Sequence, residues 1–151
     1  MRRKDKEIKD KDQIEQIVQD ARVCHLALAD NGQPYVVPLN FGYRDSVVYF
    51  HSARQGRKID MLKANPKVCL EFSSVLDLVR GETSCDWGQR FRSVIAFGDA
   101  RLVEDEIEKR EALDIIMTHY GGPGGDYPDK QLKMTAVVEV KLTEMTGKGS
   151  V

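Results

Sequence analysis

Residues 47–62 read VVYFHSARQGRKIDML, and this stretch combines a strand, a turn of small residues and the start of a helix. The β-branched and aromatic side chains of residues 47–50 favour a half-buried strand. The apolar residues that follow the turn have helical spacing, which ends before Pro66. We therefore predict a strand followed by a short helix whose first turn carries Arg57 and Lys58.

The junction between this strand and this helix has the composition of an anion-binding site. Small residues at Ser52 and Gly56 let the backbone approach a ligand, and a helix N-terminus offers free N–H groups with a favourable dipole. Arg57 can hold a phosphate with its planar guanidinium, and Lys58 adds a second positive charge. The same cations also fit a solvated helix face. The stretch is not a Walker loop, because the G-x-x-x-x-G-K spacing is absent.

Composition limits the partners that such a site can serve. The 151 residues are enough for one domain, which we expect to span residues 1–151 with a charged leader at 1–10 and a polar tail at 143–151. Lys and Arg total 23 against 24 Asp and Glu, so no global attraction to nucleic acid or to an anionic membrane is expected. No apolar run has membrane-spanning length, and the N-terminus does not resemble a signal peptide. We expect a soluble, cytoplasmic protein.

The three cysteines do not indicate a disulfide framework or a metal site. Cys24, Cys69 and Cys85 are odd in number and have no paired spacing. Cys24 and Cys69 lie within apolar runs, which predicts inert thiols in the core.

The rest of the chain alternates strands with a few helices. A helix is predicted at 11–21, a hairpin at 22–43 around the Asn-Gly turn at 31–32, and strands at 67–73, 91–103 and 134–142. Residues 74–90 are predicted as a loop, with a short strand within it as the alternative, and residues 105–120 as a long helix. About six strands with too few helices for βαβ units predict an antiparallel β-barrel of the α+β class with flanking helices.

The second arm of the hairpin contains prolines, which indicate an edge or bulged strand. A strand that deviates at Pro38 would expose backbone groups of Val37, Leu39 and Asn40, and such groups can hydrogen-bond a flat heteroaromatic ligand. A barrel corner without a ligand explains the same residues.

Two later features also have two interpretations. Trp87 lies in the predicted loop at 74–90, where it would pack over a flat ligand, line an interface or be buried in the core. The run of glycines and one proline at 121–125 would act as a mobile flap or as a plain linker.

Several segments together resemble the pyridoxamine 5′-phosphate oxidase-like flavoproteins, and in particular their branch related to 5-nitroimidazole resistance (Nim) proteins. These segments are residues 31–41, residues 49–53 with Gly56, Arg57 and Lys58, residues 64–69, and residues 91–95 with Gly98. The resemblance covers about residues 12–142. It implies a split β-barrel of Greek-key type that binds FMN at the interface of a homodimer.

The resemblance also implies roles for individual residues. It places the FMN phosphate near Ser52, Arg57 and Lys58, and the edge of the isoalloxazine ring along the backbone of Val37, Pro38, Leu39 and Asn40. His51 matches the Nim histidine beside the flavin and the substrate, and is the candidate catalytic residue. Trp87, Arg92 and Ser93 would approach the cofactor from the second protomer. From the residues alone, His51 is explained as a histidine at a strand end, and His25 and His119 have no comparable support.

The activity implied by the resemblance is that of an FMN-dependent oxidoreductase which passes electrons to a nitroaromatic or similar acceptor. His51 would donate a proton or orient the acceptor, since an unperturbed pKa of about 6.5 allows both protonation states. Oxidation of pyridoxamine phosphate itself is not expected, because the chain has no long C-terminal extension rich in basic residues. A flavin-binding module without turnover, and a split-barrel protein that binds haem or a deazaflavin, are the alternatives.

Overall fold

The computed structural model describes residues 2–150, so the predicted domain limits at residues 1 and 151 lie outside the described residues. This part of the chain forms eight strands and four α-helices. In chain order they are β1 (Glu7–Ile8), α1 (Lys11–Asp20), β2 (Cys24–Asp30), β3 (Gln33–Leu39), β4 (Gly42–Arg44), β5 (Val47–Ala53), α2 (Arg57–Ala64), β6 (Lys67–Val79), β7 (Gly88–Val103), α3 (Glu106–His119), α4 (Asp129–Met134) and β8 (Thr135–Ser150). Short 3₁₀ turns occupy Lys4–Lys6 and Ser84–Asp86.

The strands form one antiparallel sheet that curls without closing. Its order is β3-β2-β6-β7-β8-β5-β4, and β1 pairs with the end of β8. The two strands at the ends of this order, β3 and β4, are consecutive in the chain. The sheet is therefore split between them. This architecture confirms the predicted α+β class and the antiparallel split barrel, although eight strands form where about six are predicted.

The central stretch folds as its pattern predicts. Val48 and Phe50 have no solvent exposure, while the side chains between and after them are partly or fully exposed, so β5 buries one face. The chain then turns at Gly56, whose φ of 122° is unfavourable for residues with a side chain, and α2 begins at Arg57. This geometry fixes both cations in the first helical turn.

The interior of the curled sheet holds the main core, which α1 closes at one side. Ile14, Ile17 and Val18 of α1 pack into it, and the side chain of Asp10 caps the helix by accepting from the N–H of Asp12 at 2.9 Å. α3 covers part of the opposite face of the sheet, where it packs on β4 and β5.

The predicted Asn-Gly turn is confirmed, with positive φ at both Asn31 (47°) and Gly32 (76°). Such angles at both central positions are those of the tight hairpin turn that this residue pair favours. A bulge lies at Gly98, where the register of β7 against β8 shifts between Phe97 and Gly98.

The prediction of a loop at residues 74–90 is wrong, because most of this segment forms two paired strands. β6 continues to Val79 and β7 starts at Gly88, and the two pair along this length with one bulge between Val75 and Asp77. Residues 73–80 are exposed, so this extension has no buried face from which a strand could be recognised. We call residues 73–93 the hairpin arm.

Parts of the predicted leader and tail have strand conformation. Residues 7–8 form β1, and residues 143–150 continue β8, pairing with β7 on one side and with β1 on the other. The glycines and threonines of the chain end suggest a tail, but pairing on both sides gives it a regular strand conformation.

The glycine run at 121–125 is held at its end by α3. Asp114 accepts hydrogen bonds from the N–H of Gly125 at 2.6 Å and from the hydroxyl of Tyr127 at 2.9 Å. Burial, together with the neighbouring Asp114 carboxylate, raises the pKa of Tyr127 to about 12. Arg110 donates to the carbonyl of Tyr127 at 3.0 Å. These contacts favour an anchored connection to α4 over a free flap.

Within residues 2–150, no helix is long and apolar enough to cross a membrane.

Candidate functional site

The N-terminus of α2 presents unsatisfied donors. Gly56 at the N-cap has no side chain to accept from the first helical N–H groups, so these groups point outward without a side-chain partner. An anion placed there would accept from them and would also be stabilised by the helix dipole.

Arg57 and Lys58 extend this positive surface from the start of α2 toward β3 and β5. The guanidinium of Arg57 lies 4.6 Å from the centre of the Tyr35 ring, and the ammonium of Lys58 lies 5.6 Å from the centre of the Phe50 ring. Neither cation has a carboxylate within 4 Å among the residues that the structure describes. Partial burial lowers the pKa of Lys58. Both charges are therefore available to an external anion.

Ser52 and His51 project from opposite faces of the sheet. Side chains alternate along a strand, so Ser52 shares its face of β5 with the buried Phe50, whose ring the ammonium of Lys58 contacts. His51 points to the outer face, where it is exposed and pairs with Val137 of β8. Ser52 is thus on the face of β5 that Lys58 approaches, and His51 is on the other side of the same strand.

The proposed ring-binding segment lies on the edge strand β3, as predicted. Val37, Pro38 and Leu39 pair in unbroken register with β2, so the strand does not deviate at Pro38. Its other edge is unpaired because the sheet is split there. Pro34 and Pro38 are four residues apart and therefore orient their backbone alike, which places the missing N–H groups on the open side. Asn40 follows the strand and is exposed.

Tyr35 is a site residue that sequence reasoning missed. It lies on β3 and stacks against Arg57, so it joins the edge strand to the first turn of α2. An aromatic residue on a strand with two prolines is only a weak signal. The contact links positions 22 residues apart in the sequence and becomes visible once the chain is folded.

Trp87, Arg92 and Ser93 are not brought to this site within one chain. Trp87 stands at the tip of the hairpin arm, 52% exposed, and its indole N–H donates to the carbonyl of Gly81 at 3.0 Å, so it is not a core residue. Arg92 and Ser93 pair with residues 74 and 73 at the base of the arm. His51 and Val103 pair with the same residue of β8, Val137, so His51 lies beside the C-terminal end of β7. Arg92 and Ser93 are about 35 Å from that end along the strand.

The remaining histidines and thiols have separate structural surroundings. His25 pairs with Glu71 at 2.8 Å, and the ring of His119 donates to the carbonyl of Ala21 at 2.7 Å. Burial raises the pKa of the Cys24 thiol to about 12 and also raises that of Cys69. These two thiols are buried and partly buried, as expected of inert core residues.

Three comparisons relate the chain to known proteins. A putatively assigned 5-nitroimidazole antibiotic resistance protein from Bacteroides thetaiotaomicron has a solved structure that is 40% identical, with a TM-score of 0.86 over 95% of this chain and 86% of that chain. The flavocytochrome Anf3 from Azotobacter vinelandii is 26% identical, with a TM-score of 0.85 over 96% of this chain and 69% of that chain.

A curated relative, the uncharacterized protein RA0666 of Rhizobium meliloti, is 30% identical over 63 residues, which are 42% of this chain and 41% of that protein. The match therefore spans about two fifths of this relative. Residues 10–149 match the family described as pyridoxamine 5′-phosphate oxidase. This match covers nearly the whole chain and agrees with the split barrel described above, so the chain belongs to the pyridoxamine 5′-phosphate oxidase family.

Proposed function

We propose that this chain is a cytoplasmic flavoprotein that binds FMN between two copies of itself and acts as an oxidoreductase on small acceptors of the nitroaromatic type. The observation that carries the proposal is the pair of cations at the start of α2. Arg57 and Lys58 have no carboxylate partner within the described chain, and they flank uncapped helical N–H groups beside Ser52. A phosphate group would satisfy these donors together.

The family assignment supports a flavin as the source of this phosphate. The flavocytochrome and the candidate nitroimidazole resistance protein reported above have the same fold at 26% and 40% identity. In the proposed complex, Ser52, Arg57 and Lys58 hold the phosphate. The open edge of β3, at Val37, Pro38, Leu39 and Asn40, hydrogen-bonds the edge of the ring system.

The proposed site needs a second copy of the chain. The residues around it are partly or fully exposed, so in one chain they form an open surface that does not exclude water. Trp87, Arg92 and Ser93 of a second copy would cover it, because they lie on an arm that projects from the barrel with exposed apolar side chains. The homodimer is therefore part of the proposal.

When bound, the flavin would supply the electron-transfer chemistry, and this chain would supply orientation, charge and protons. His51 is exposed on the outer face of β5 and is free to reach an acceptor that lies beyond the edge of the strand. Its imidazole would orient the acceptor or give it a proton. Ser52 and His51 point to opposite faces of β5. A ligand that contacts both side chains must therefore extend around the end of this strand.

The experiment is an anaerobic assay on FMN-loaded protein. After reduction with dithionite and removal of the excess, a nitroimidazole is added and reoxidation is followed by absorbance. We expect reoxidation that is at least about tenfold slower in His51→Ala than in the native protein, as is typical when a proton donor is removed. A control variant, His25→Ala, should react at the native rate.

Native protein that binds FMN but does not react with any nitroaromatic acceptor would contradict the oxidoreductase proposal and favour a flavin-binding module without turnover. A purified protein with a haem or deazaflavin spectrum would contradict the choice of FMN.

A further inference from the structure

Lys109 is a buried cation with unused hydrogen-bonding capacity. It projects from α3 into the small core formed with Val103 and Val137 and is only 6% exposed. Its ammonium donates to the carbonyl of Thr135 at 3.3 Å, and no carboxylate within the described residues lies within 4 Å of it. An ammonium group has three donors, and a buried charge is costly unless it is paired. Lys109 therefore needs another partner.

A small cavity of about 40 Å³ lies next to Lys109. Its polar lining consists of Arg54, Lys63, Lys109 and Glu104, and its apolar lining comes from the adjoining ends of β7 and β8. Three cations face one carboxylate, so the lining has an excess of positive charge. A water molecule needs about 10–15 Å³ of such volume, so this cavity has room for about three groups of that size. A tetrahedral oxyanion can place about three of its oxygens in this space, with the rest toward the exposed side chains of Arg54 and Lys63.

The carboxylates nearest in sequence do not neutralise these cations. Asp105 caps α3 by accepting from the N–H of Glu108, and Glu108 itself pairs with Arg101 at 3.0 Å. Glu106 pairs with Arg110. Glu104 approaches Arg54 to 3.8 Å, but its side chain is 71% exposed. Arg54 also donates to the carbonyl of Lys133 at 2.9 Å. Lys63 and Lys109 have no carboxylate within 4 Å among the described residues, so their charge is left for an external anion.

We propose that this cavity is a second anion site, which takes a phosphate-type oxyanion held by Lys109, Lys63 and Arg54. The proposal does not depend on flavin binding, because none of these cations belongs to the group at Arg57 and Lys58. Two sources share this chemistry: free inorganic phosphate, and the second phosphate of a dinucleotide whose first phosphate lies at the start of α2. Arg54 belongs to the same turn as Gly56, so the chain links the two sites directly.

Thermal unfolding in phosphate and in chloride at matched ionic strength tests the proposal. The variants are Lys109→Met and Lys63→Gln, and the control is Lys130→Gln, an exposed lysine of α4 outside the cavity lining. We expect a saturable rise in Tm with phosphate for the native protein and the control, and loss of most of this rise in both cavity variants. Lys109→Met should unfold in chloride no earlier than the native protein, because it removes a buried charge without a charged partner.

An equal rise in Tm for all variants would overturn the proposal, since phosphate stabilises proteins generally by exclusion from their surface. It would also be overturned if the rise is kept in both cavity variants and lost only in Arg57→Ala combined with Lys58→Ala. That outcome would assign phosphate to the start of α2.

Titration with FMN and with FAD then identifies the source of the oxyanion. Weaker FAD binding in Lys63→Gln with unchanged FMN binding would identify the second phosphate of a dinucleotide. Unchanged binding of both flavins, or no flavin binding by any variant, together with a lost phosphate effect, would identify a free oxyanion. The phosphate-dependent rise in Tm therefore tests the cavity site even if no variant binds a flavin.

Discussion

Arg57 and Lys58 are the residues on which the proposed cofactor site most depends. Each makes an aromatic contact that fixes its position, and neither is paired with a carboxylate in the described chain. Because each cation is already positioned and has no ion pair to break, an anion can bind with little loss of side-chain conformational entropy. The preorganisation comes from Tyr35 and Phe50, which belong to different strands.

Replacing both cations, Arg57→Ala with Lys58→Ala, should weaken FMN binding by several kcal/mol, about a hundredfold or more, because each charge-assisted hydrogen bond contributes about 1.5–3 kcal/mol. Isothermal titration of the folded variant measures the change. The pair Lys9→Ala with Lys11→Ala removes the same charge from exposed positions and should bind as the native protein does. Native affinity in the first variant would rule out the phosphate assignment.

The lowered pKa of Lys58 predicts a pH dependence of stability. Burial disfavours the charged ammonium in the folded state, so the unfolded chain, with the ordinary value of 10.5, holds the proton more strongly. The free energy of unfolding of cofactor-free protein should therefore rise with pH between the folded pKa of Lys58 and 10.5. Denaturant unfolding of the native protein and of Lys58→Met across this range checks it. The free energy of unfolding of the native protein should rise relative to that of Lys58→Met as pH increases. A difference between the two proteins that stays constant with pH would contradict the prediction.

At the scale of elements, the close packing of β4 on α3 sets the position of the barrel edge. A Cβ atom at Gly42 would lie 2.7 Å from backbone atoms of Ile115 and Ile116, so neither neighbour can move aside cheaply. We expect Gly42→Ala to lower the free energy of unfolding by about 1–3 kcal/mol or more, since overpacking forces the backbone apart.

Chemical denaturation measures this change, with Gly88→Ala as the matched control. Gly88 has no atom within 4 Å of an added Cβ and no positive φ, so its substitution should have little effect. Equal stability of the two variants would show that β4 and α3 are not packed as closely as described.

Elements whose pattern faces the core could be predicted from the sequence, and others could not. β5 and α2 follow from alternation and helical spacing, and α3 (Glu106–His119) lies within the helix predicted at 105–120. Residues 73–80 of the hairpin arm have no buried face, and at the end of β8 only Gly147 is buried, with Met145 partly buried against the core. The strand conformation of both segments therefore comes largely from pairing with distant residues. The same holds at the site. The residue types at 52–58 indicate an anion, while the contact of Arg57 with Tyr35 depends on the fold.

At the scale of the whole molecule, the hairpin arm is the feature that one chain does not explain. Val75, Leu76, Leu78 and Trp87 are all at least 45% exposed on it. An apolar surface of this kind typically marks an interaction site. The second copy of the chain that the proposed cofactor site requires would bury it.

Substituting two of these residues, Leu76→Ser with Leu78→Ser, should weaken self-association by at least about tenfold, because each buried leucine contributes about 1.5–3 kcal/mol. Sedimentation equilibrium gives the dimer dissociation constant. Ile107→Ser is the control, since Ile107 is 70% exposed on α3 and not on the arm. An unchanged dissociation constant in the arm variant, or an equal loss in the control, would exclude the arm as the dimer contact.

The most direct measurement is the visible spectrum of the purified protein during titration with FMN. We expect the flavin bands to shift and to saturate at about one FMN per chain, because each copy carries its own Arg57 and Lys58. Saturation should fail in the variant that lacks both cations. A correctly folded dimer whose presence leaves the FMN spectrum and its fluorescence unchanged would contradict the proposed flavin site.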